Sequence, residues 1–277
     1  ARALTGRLGE QLGQPIVVEN RAGASGTLAY SGLLQSTPTD GHAFIVSDGA
    51  MLSIAPHVAK AATFRFGKDL LPVSLIGRSA LYLVAQQKTG ISTLKEFIAA
   101  VRAKPGTYTY GSSGVGTNHH LTMEALKAAL NLDIRHVPYR GSSHSIPALV
   151  GGHVDFSIAA LPSVAGFVQN GQLKLLASNA ATRSPLTPDI PPIADAVPGF
   201  DYATILTVLA AAGTPANALK RVSQSVIEAT RHPDVIKALQ VAGVEPIGGG
   251  PNELSKAMTR EIEVMGRAAQ LAHLTAE

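Results

Sequence analysis

Apolar and polar positions alternate along the chain with periods that predict a succession of helices and strands. The first twelve residues carry leucine at every fourth position from Leu4, which is the spacing of one helical face. Residues 16–19 are predicted to form a strand, residues 27–35 a short helix and residues 44–46 a buried strand. Because the order is strand, helix, strand, a parallel sheet is expected in this part of the chain.

The alternation becomes regular between Gln86 and Tyr202. Thr93 and Glu96 have the spacing of a capping box, and apolar residues follow them at helical intervals. The predicted strands of this block are residues 107–110, 134–138, 154–159 and 173–177, with helices between them. Such an alternation predicts one α/β domain.

Two continuous apolar runs, residues 81–85 and 205–211, are predicted to be strands that cross between two domains. The tail after the second run is predicted to be mostly helical and lacks the apolar residues for a core of its own. It should therefore pack on the N-terminal part of the chain. The predicted organisation is a discontinuous domain one, residues 1–85 and 206–277, around an inserted domain two, residues 86–205.

Composition narrows the class of protein. The chain has 277 residues, of which 45% are hydrophobic and 15% charged, so it can bury a sizeable core and is not disordered. Its net charge of +4 comes from Lys and Arg scattered without clusters, which argues against nucleic-acid binding. The absence of Cys excludes thiol catalysis, thiolate metal sites and disulfides within the chain.

The segment with the clearest chemistry is a glycine-rich turn, residues 111–117, between a short strand and an amphipathic helix. Its glycines are Gly111, Gly114 and Gly116, and its hydroxyl residues are Ser112, Ser113 and Thr117. Glycine lets the backbone approach a ligand closely, and the first N–H groups of a helix favour negative charge. This glycine turn is therefore a candidate anion site, while an ordinary strand-to-helix turn would show the same pattern.

The glycine turn fits none of the catalytic glycine motifs. A dinucleotide fingerprint would need Gly where His119 stands, a nucleophile elbow would need Gly where Val115 stands, and a phosphate loop would need a Lys. A serine nucleophile would also need a base, and the nearest in sequence, His120, lies on the following helix, where it is expected to face away. A serine hydrolase using Ser112 or Ser113 with His120 stays a minor alternative.

The histidines do not predict a metal site. His119 and His120 are adjacent, so on a helix they point about 100° apart and cannot share one metal ion. His136 and His144 have no partner at ligand spacing and are expected to be structural. We expect neither a metal nor a cofactor.

Eight segments, in the same order along the whole chain, resemble the tripartite tricarboxylate transporter substrate-binding receptors, also called Bug receptors. They are residues 16–27 (IVVENRAGASGT), 38–41 (PTDG), 69–75 (DLLPVSL), 110–121 (YGSSGVGTNHHL), 136–142 (HVPYRGS), 151–155 (GGHVD), 212–215 (AGTP) and 243–246 (GVEP).

The resemblance implies an α/β, two-domain periplasmic binding protein fold of type II, or Venus-flytrap fold, with two crossing strands. It implies a periplasmic, non-enzymatic receptor that captures a small organic acid in the cleft between its domains. The implied partners are the membrane permease subunits of a tripartite tricarboxylate-type transporter, and a monomer is expected. A sensory module of the same fold, serving a signalling partner, is the alternative from another class.

The resemblance also implies a set of ligand-binding residues. Those of domain two are Ser112, Ser113, Gly114, Val115, Gly116, Thr117, Gly141, Ser142 and Ala159. Those of domain one are Ser47, Asp48 and Gly49. In this chain Asp48 would repel an anion unless it is turned away, or it would contact a hydroxyl or amino group of the ligand.

The sequence departs from the family pattern in ways that bear on the ligand. It begins inside the first helix of the family, so a signal peptide, the first strand of domain one and its loop are expected to be missing from the sequence given. An Asp-Asn pair usual in relatives is Ala159 and Ala160 here, which favours a plain carboxylate or a more apolar acid. The second crossing strand carries aliphatic residues from Ile205 to Leu209, where relatives often have aromatic residues.

Overall fold

A computed structural model describes residues 1–21, 27–36, 38–58 and 64–274. The helices are α1 (Arg2–Leu12), α2 (Thr27–Ser36), α3 (Ala50–Ser53), α4 (Ala55–Val58), α5 (Leu94–Ala103), α6 (Asn118–Leu130), α7 (Ser142–Val150), α8 (Leu161–Gln169), α9 (Ala216–Thr230), α10 (Pro233–Val241) and α11 (Pro251–Leu271). The strands are β1 (Ile45–Asp48), β2 (Leu70–Ser79), β3 (Leu81–Gln86), β4 (Thr109–Ser112), β5 (Arg135–Pro138), β6 (Phe156–Ala160), β7 (Leu173–Ser178), β8 (Thr204–Ala211) and β9 (Glu245–Gly249).

The chain divides into two compact units. Unit one comprises Ala1–Ser79 and Thr204–Glu263, and unit two comprises Ala80–Ala203 together with residues 264–274. The chain therefore enters unit two at the junction of β2 and β3 and leaves it at the start of β8. None of the helices that the structure describes is long and apolar enough to cross a membrane.

Unit one is built on a four-stranded sheet in the order β1-β8-β2-β9, in which every neighbouring pair is antiparallel. The apolar β8 lies inside the sheet, and its side chains alternate between two buried faces. Val208 packs with residues of α1, α9 and α10, whereas Leu209 packs with residues of α2 and α11. Helices thus cover both faces, which explains why β8 reads as a continuous apolar run.

The parallel sheet expected for the N-terminal part was wrong. Residues 16–19 are not a strand, and the side chains of Ile16 and Val17 are 37% and 81% exposed. A β-branched run becomes a strand only where a neighbouring strand supplies backbone hydrogen bonds. β1, which does pair, has antiparallel β8 as its neighbour instead.

Unit two is built on a five-stranded sheet in the order β5-β4-β6-β3-β7. Strand β4 runs parallel to β5 and β6, and β3 is antiparallel to β6 and β7. One face is covered by α7 and α8, whose Leu149 and Val164 pack with Tyr82 of β3. Phe156 of β6 contacts Phe97 of α5 edge to face, with the two ring centroids 4.8 Å apart. The predicted capping box of α5 is confirmed, with both Thr93 and Glu96 bonds present.

Asn179, directly after β7, hydrogen-bonds to residues near both ends of the segment 80–203. Its Oδ1 accepts a hydrogen bond from the N–H of Leu81 at 2.8 Å, and its Nδ2 donates to the carbonyl of Tyr202 at 2.8 Å. Its backbone N–H donates to Leu81, and its carbonyl accepts from Tyr202. Its Nδ2 also lies 3.4 Å from the hydroxyl of Thr122 in α6. This buried amide therefore links the beginning of the segment 80–203, the end of that segment and α6.

Candidate functional site

The candidate site of unit two lies at one edge of its sheet. Because β4, β5 and β6 are parallel, their carboxyl ends, at Ser112, Pro138 and Ala160, face the same edge. Each strand is followed by a turn into a helix, namely α6, α7 and α8. Ligands of open α/β sheets bind at this kind of edge, where several helix N-termini meet.

The glycine turn has the backbone that its sequence predicts. Gly114 and Gly116 have φ angles of 131° and 75°, which side-chain-bearing residues rarely adopt. Thr117 is the N-cap of α6, where its hydroxyl accepts from the N–H of His120 and donates to the carbonyl of Gly114 at 2.8 Å. Gly111, by contrast, is an ordinary strand residue of β4, where a side chain would press on Val154 and Tyr139.

Two N–H groups of the glycine turn are already used within the protein. That of Gly114 donates to Ser112 Oγ, and that of Gly116 donates to His120 Nδ1, both at 3.2 Å. In the part of the chain that the structure describes, the N–H groups of Val115 and His119 donate to no protein acceptor. The donors available to a ligand therefore include these two N–H groups, next to the half-buried Ser113 hydroxyl.

Ser112 is fully buried and belongs to the support of the turn. Its hydroxyl lies 2.6 Å from His136 Nε2, and the His136 ring stacks between Tyr110 and His120 with centroids at 4.7 and 4.2 Å. Tyr110 in turn donates to Glu124, which pairs with a lysine one turn along α6. Burial lowers the pKa of His136 to about 4, so the His136 ring is neutral at pH 7, and burial lowers the pKa of His120 as well.

Ser113 makes a different pair. Its hydroxyl lies 2.8 Å from Nδ1 of His119, in the first turn of α6. Burial lowers the pKa of His119 to about 4, so this imidazole is also neutral at pH 7. Sequence reasoning paired the serines with His120, whose Nδ1 accepts from Gly116 instead.

The turn after β5 is fastened to the glycine turn. Tyr139 donates its N–H to the carbonyl of Ser112 at 3.0 Å, and Gly141 donates to that of Ser113 at 3.1 Å. Gly141 has φ 95° and ψ 166° and caps α7, whose first residue is the half-buried Ser142. The structure thus brings Gly141 and Ser142 beside the glycine turn, as the sequence predicts.

Ala159 is the candidate whose side chain the structure buries in the core. It is 1% exposed and packs in the core with Tyr82, Leu149 and Val164. The half-buried Ala160 is the residue at the end of β6 and the N-cap of α8. Successive strand residues point to opposite faces of the sheet, so the side chain of Ala159 faces the core and that of Ala160 faces the other way.

In unit one, Ser47, Asp48 and Gly49 lie at the end of β1 and the start of α3. Ser47 accepts a hydrogen bond from Tyr30 at 2.7 Å, and the N–H of Gly49 donates to the carbonyl of Ile205 at 2.9 Å. The side chain of Asp48 is exposed. Ser47 and Gly49 therefore fix the backbone, and Asp48 is the member of the three with an exposed ionisable group.

A buried carboxyl group, that of Glu261 in α11, lies against this segment. It accepts from the N–H of Ile205 at 3.0 Å and from the Ser53 hydroxyl at 3.2 Å, and any side chain at Gly49 would collide with it. Burial raises the pKa of Glu261 to about 7, and the negative charge of Asp48 adds to the rise. Sequence reasoning missed Glu261, although its spacing from Met258 and Met265 put it on the apolar face of α11.

Among the residues that the structure describes, no group of three His, Cys, Asp or Glu side chains could hold a metal ion.

Comparison with known proteins decides the family. Residues 1–272 match the model of the tripartite tricarboxylate transporter family receptor. The chain belongs to this family. Protein BugT of Bordetella pertussis is 29% identical over 265 residues, which is 95% of this chain and 81% of BugT. The expected membership among the Bug receptors is confirmed.

Two solved structures resemble this receptor over nearly its whole length. The R. palustris protein Rpa4515, solved with adipate, has a TM-score of 0.87 at 29% identity and covers 100% of this chain and 92% of its own. MatC from Rhodopseudomonas palustris, solved with bound malate, has a TM-score of 0.80 at 27% identity and covers 97% and 92%. These likenesses confirm the predicted α/β, two-domain periplasmic binding protein fold.

Members of this family are solute-binding receptors and not enzymes, which removes the serine hydrolase alternative. The local geometry agrees. The base proposed from sequence, His120, pairs with neither serine, and within the described residues no carboxylate hydrogen-bonds the rings of His119 or His136. A serine nucleophile would need such an orienting acid.

Proposed function

We propose that this receptor captures a small organic acid in the periplasm and delivers it to the permease subunits of a tripartite tricarboxylate-type transporter. The observation that carries the proposal is the glycine turn. Together with the first turn of α6, it supplies the N–H groups of Val115 and His119 and the Ser113 hydroxyl at the N-terminus of that helix. A carboxylate accepts hydrogen bonds only, so a group of donors without a nearby buried charge suits it.

The two relatives solved with acids support the ligand class. One structure contains adipate and the other malate, and both are aliphatic dicarboxylates. In this receptor the side chain of Val115 is 60% exposed at the tip of the glycine turn, where it would contact the aliphatic part of such a ligand. We therefore propose an aliphatic mono- or dicarboxylate as the ligand.

The other parts of the proposal concern the remaining predicted residues. The backbone that receives the carboxylate would be shaped by Gly114, Gly116, Thr117, Gly141 and Ser142. The buried Ser112 would hold this backbone in place through its hydrogen bonds. Asp48 in unit one stays a predicted contact for a hydroxyl or amino group of the ligand. The domain bounds, 1–85 with 206–277 and 86–205, and a monomeric receptor also stay predictions.

The test is binding of a panel of acids, measured by calorimetry and thermal shift. A ligand that binds only the folded state raises its stability by about 2.7 kcal/mol at 100 times Kd, which is a readily measured shift. We expect one of succinate, malate or adipate to bind, and amino acids to bind weakly. Uptake of that acid by cells carrying the permease should then require this receptor.

The site is tested by Ser113→Asp, which places a like charge among the donors and should abolish acid binding. Asn217→Asp is the matched control, because it adds the same charge at an exposed position of unit one. If Ser113→Asp binds the acid as tightly as the control does, the carboxylate lies elsewhere. If no acid binds the unaltered receptor, the proposed ligand class is wrong.

A further inference from the structure

The pair formed by Ser113 and His119 determines what the glycine turn can offer a ligand. A serine hydroxyl can donate one hydrogen bond and accept others, so its partner decides which role remains for a ligand. Here that partner is Nδ1 of His119, at 2.8 Å from Ser113 Oγ. His119 lies six residues after Ser113, in the first turn of α6, and its imidazole reaches back to the beginning of the glycine turn.

The neutral imidazole exists in two tautomers with opposite effects. When Nδ1 carries the proton, it donates to Ser113, and the serine O–H is free to donate to a ligand. When Nε2 carries the proton, Ser113 donates to Nδ1 and turns only lone pairs outward. The pKa of His119, lowered to about 4 by burial, keeps the doubly protonated form rare at pH 7, so this choice operates under physiological conditions.

We propose that His119 is a positioning residue that sets the hydrogen-bonding direction of Ser113, and that a bound carboxylate selects the tautomer with the proton on Nδ1. The inference rests on the proposed function, since it concerns the same turn. The carboxylate needs donors, and only this tautomer makes Ser113 a donor while keeping the pair bonded. The opposite tautomer offers an acceptor, which suits a hydroxyl or amide group of a ligand.

The N–H of His119 itself strengthens the argument. It donates to no acceptor within the described chain, so the backbone and the ring of one residue serve the same ligand group in two ways. Ser112 cannot substitute, because its hydroxyl is fully buried between His136 and the backbone of Gly114. The side-chain donor that a carboxylate requires here is therefore assigned to the Ser113–His119 pair.

The direct test is the ¹⁵N spectrum of the histidine rings in the unaltered receptor, recorded with and without adipate or malate at saturation. Ring nitrogens that carry a proton and those that do not differ widely in chemical shift. We expect the His119 signals of the complex to show the proton on Nδ1. A complex in which Nε2 carries the proton overturns the inference, and this measurement does not depend on any variant folding.

Variants give the second test. His119→Leu should lower acid affinity about tenfold, the equivalent of one hydrogen bond to a charged group. His119→Asn keeps an N–H near the position of Nδ1 and should restore affinity to within about threefold. The matched control is His153→Leu, an exposed histidine of the same unit, which should leave the acid affinity unchanged.

The outcomes separate this inference from the proposed function. If the unaltered receptor binds no acid, both fail. If it binds an acid and His119→Leu binds that acid as tightly, the proposed function stands and the role of His119 is overturned. Loss in His119→Leu with recovery in His119→Asn supports the inference, because a purely space-filling role would favour leucine over asparagine.

Discussion

The carboxylate of Glu261 accepts a hydrogen bond at 3.0 Å from the backbone N–H of Ile205, near the start of β8, an inner strand of unit one. The same group accepts from the Ser53 hydroxyl, and it feels the negative charge of Asp48 and the positive charge of Arg78. One buried carboxyl thus joins α11, β8 and the segment that follows β1. Its protonation should affect the stability of the whole unit.

The first prediction concerns this protonation. The folded pKa of Glu261 is raised from 4.5 to about 7, so the folded state binds the proton more tightly than the unfolded state does. The stabilising contribution is complete below pH 4.5 and is lost as pH rises from 4.5 through about 7, by about 3 kcal/mol. Glu261→Gln resembles the protonated form, so the variant should lack this fall in the free energy of unfolding between pH 4.5 and 7. Urea denaturation at several pH values measures it, and an identical slope in both proteins contradicts the assignment.

The second prediction concerns Gly141. Its φ of 95° with ψ of 166° lies in a region that is almost restricted to glycine, so Gly141→Ala should cost about 1–3 kcal/mol of stability. It should also weaken acid binding, because the bond from its N–H to Ser113 holds the glycine turn. The control is Gly166→Ala within α8, where nothing lies near the added methyl group. That control should gain about 0.5–1 kcal/mol, and equal effects at the two sites contradict the prediction.

The third prediction separates stability from binding at two helix caps. Thr117→Ala and Thr93→Ala each remove an N-cap hydroxyl, from α6 and α5 respectively. Each should cost about 1 kcal/mol in chemical denaturation. Only Thr117→Ala should also weaken acid binding, since it loosens the turn that carries the donors. Equal affinity in the two variants places the ligand away from α6, whereas Thr117→Ser should behave as the unaltered receptor.

The fourth prediction concerns ligand shape. Because the Val115 side chain is largely exposed, Val115→Ser should leave the free energy of unfolding within about 0.5 kcal/mol. It should weaken adipate, which has a longer aliphatic chain, more than malate, because apolar contact is lost. Calorimetry with both acids measures the ratio. The same loss for both acids contradicts an apolar contact at this position.

Features set by neighbouring residues could be predicted from the sequence. The capping box at Thr93 needs only a residue three positions away, and the bend at Gly114 and Gly116 needs only the absence of a side chain. The family motifs placed these local features on the correct fold. Side-chain pairs across the fold could not be found this way. His136 reaches Ser112 because β5 runs beside β4, and Glu261 meets Ser53 across 208 positions of sequence.

The two corrections have related causes. Residues 16–19 have strand-forming composition, but a strand also needs a neighbour, and composition does not show whether one is present. Ala159 and Ala160 are identical in type, so only the phase of β6 tells which of them faces the core. In both cases the outcome depends on which residues lie nearby in the fold, and the residue type alone does not show this.

Asn179 bonds to Leu81 on one side and to Tyr202 on the other, so the two ends of residues 80–203 lie side by side. A segment whose ends adjoin can be exchanged as a cassette without rerouting the rest of the backbone. Relatives could therefore recombine one half of a receptor with another, provided that the last turns of α11 also fit. A chimera in which the corresponding segment of Rpa4515 replaces residues 80–203 of this chain would show how much of the ligand preference is inherited with that segment alone.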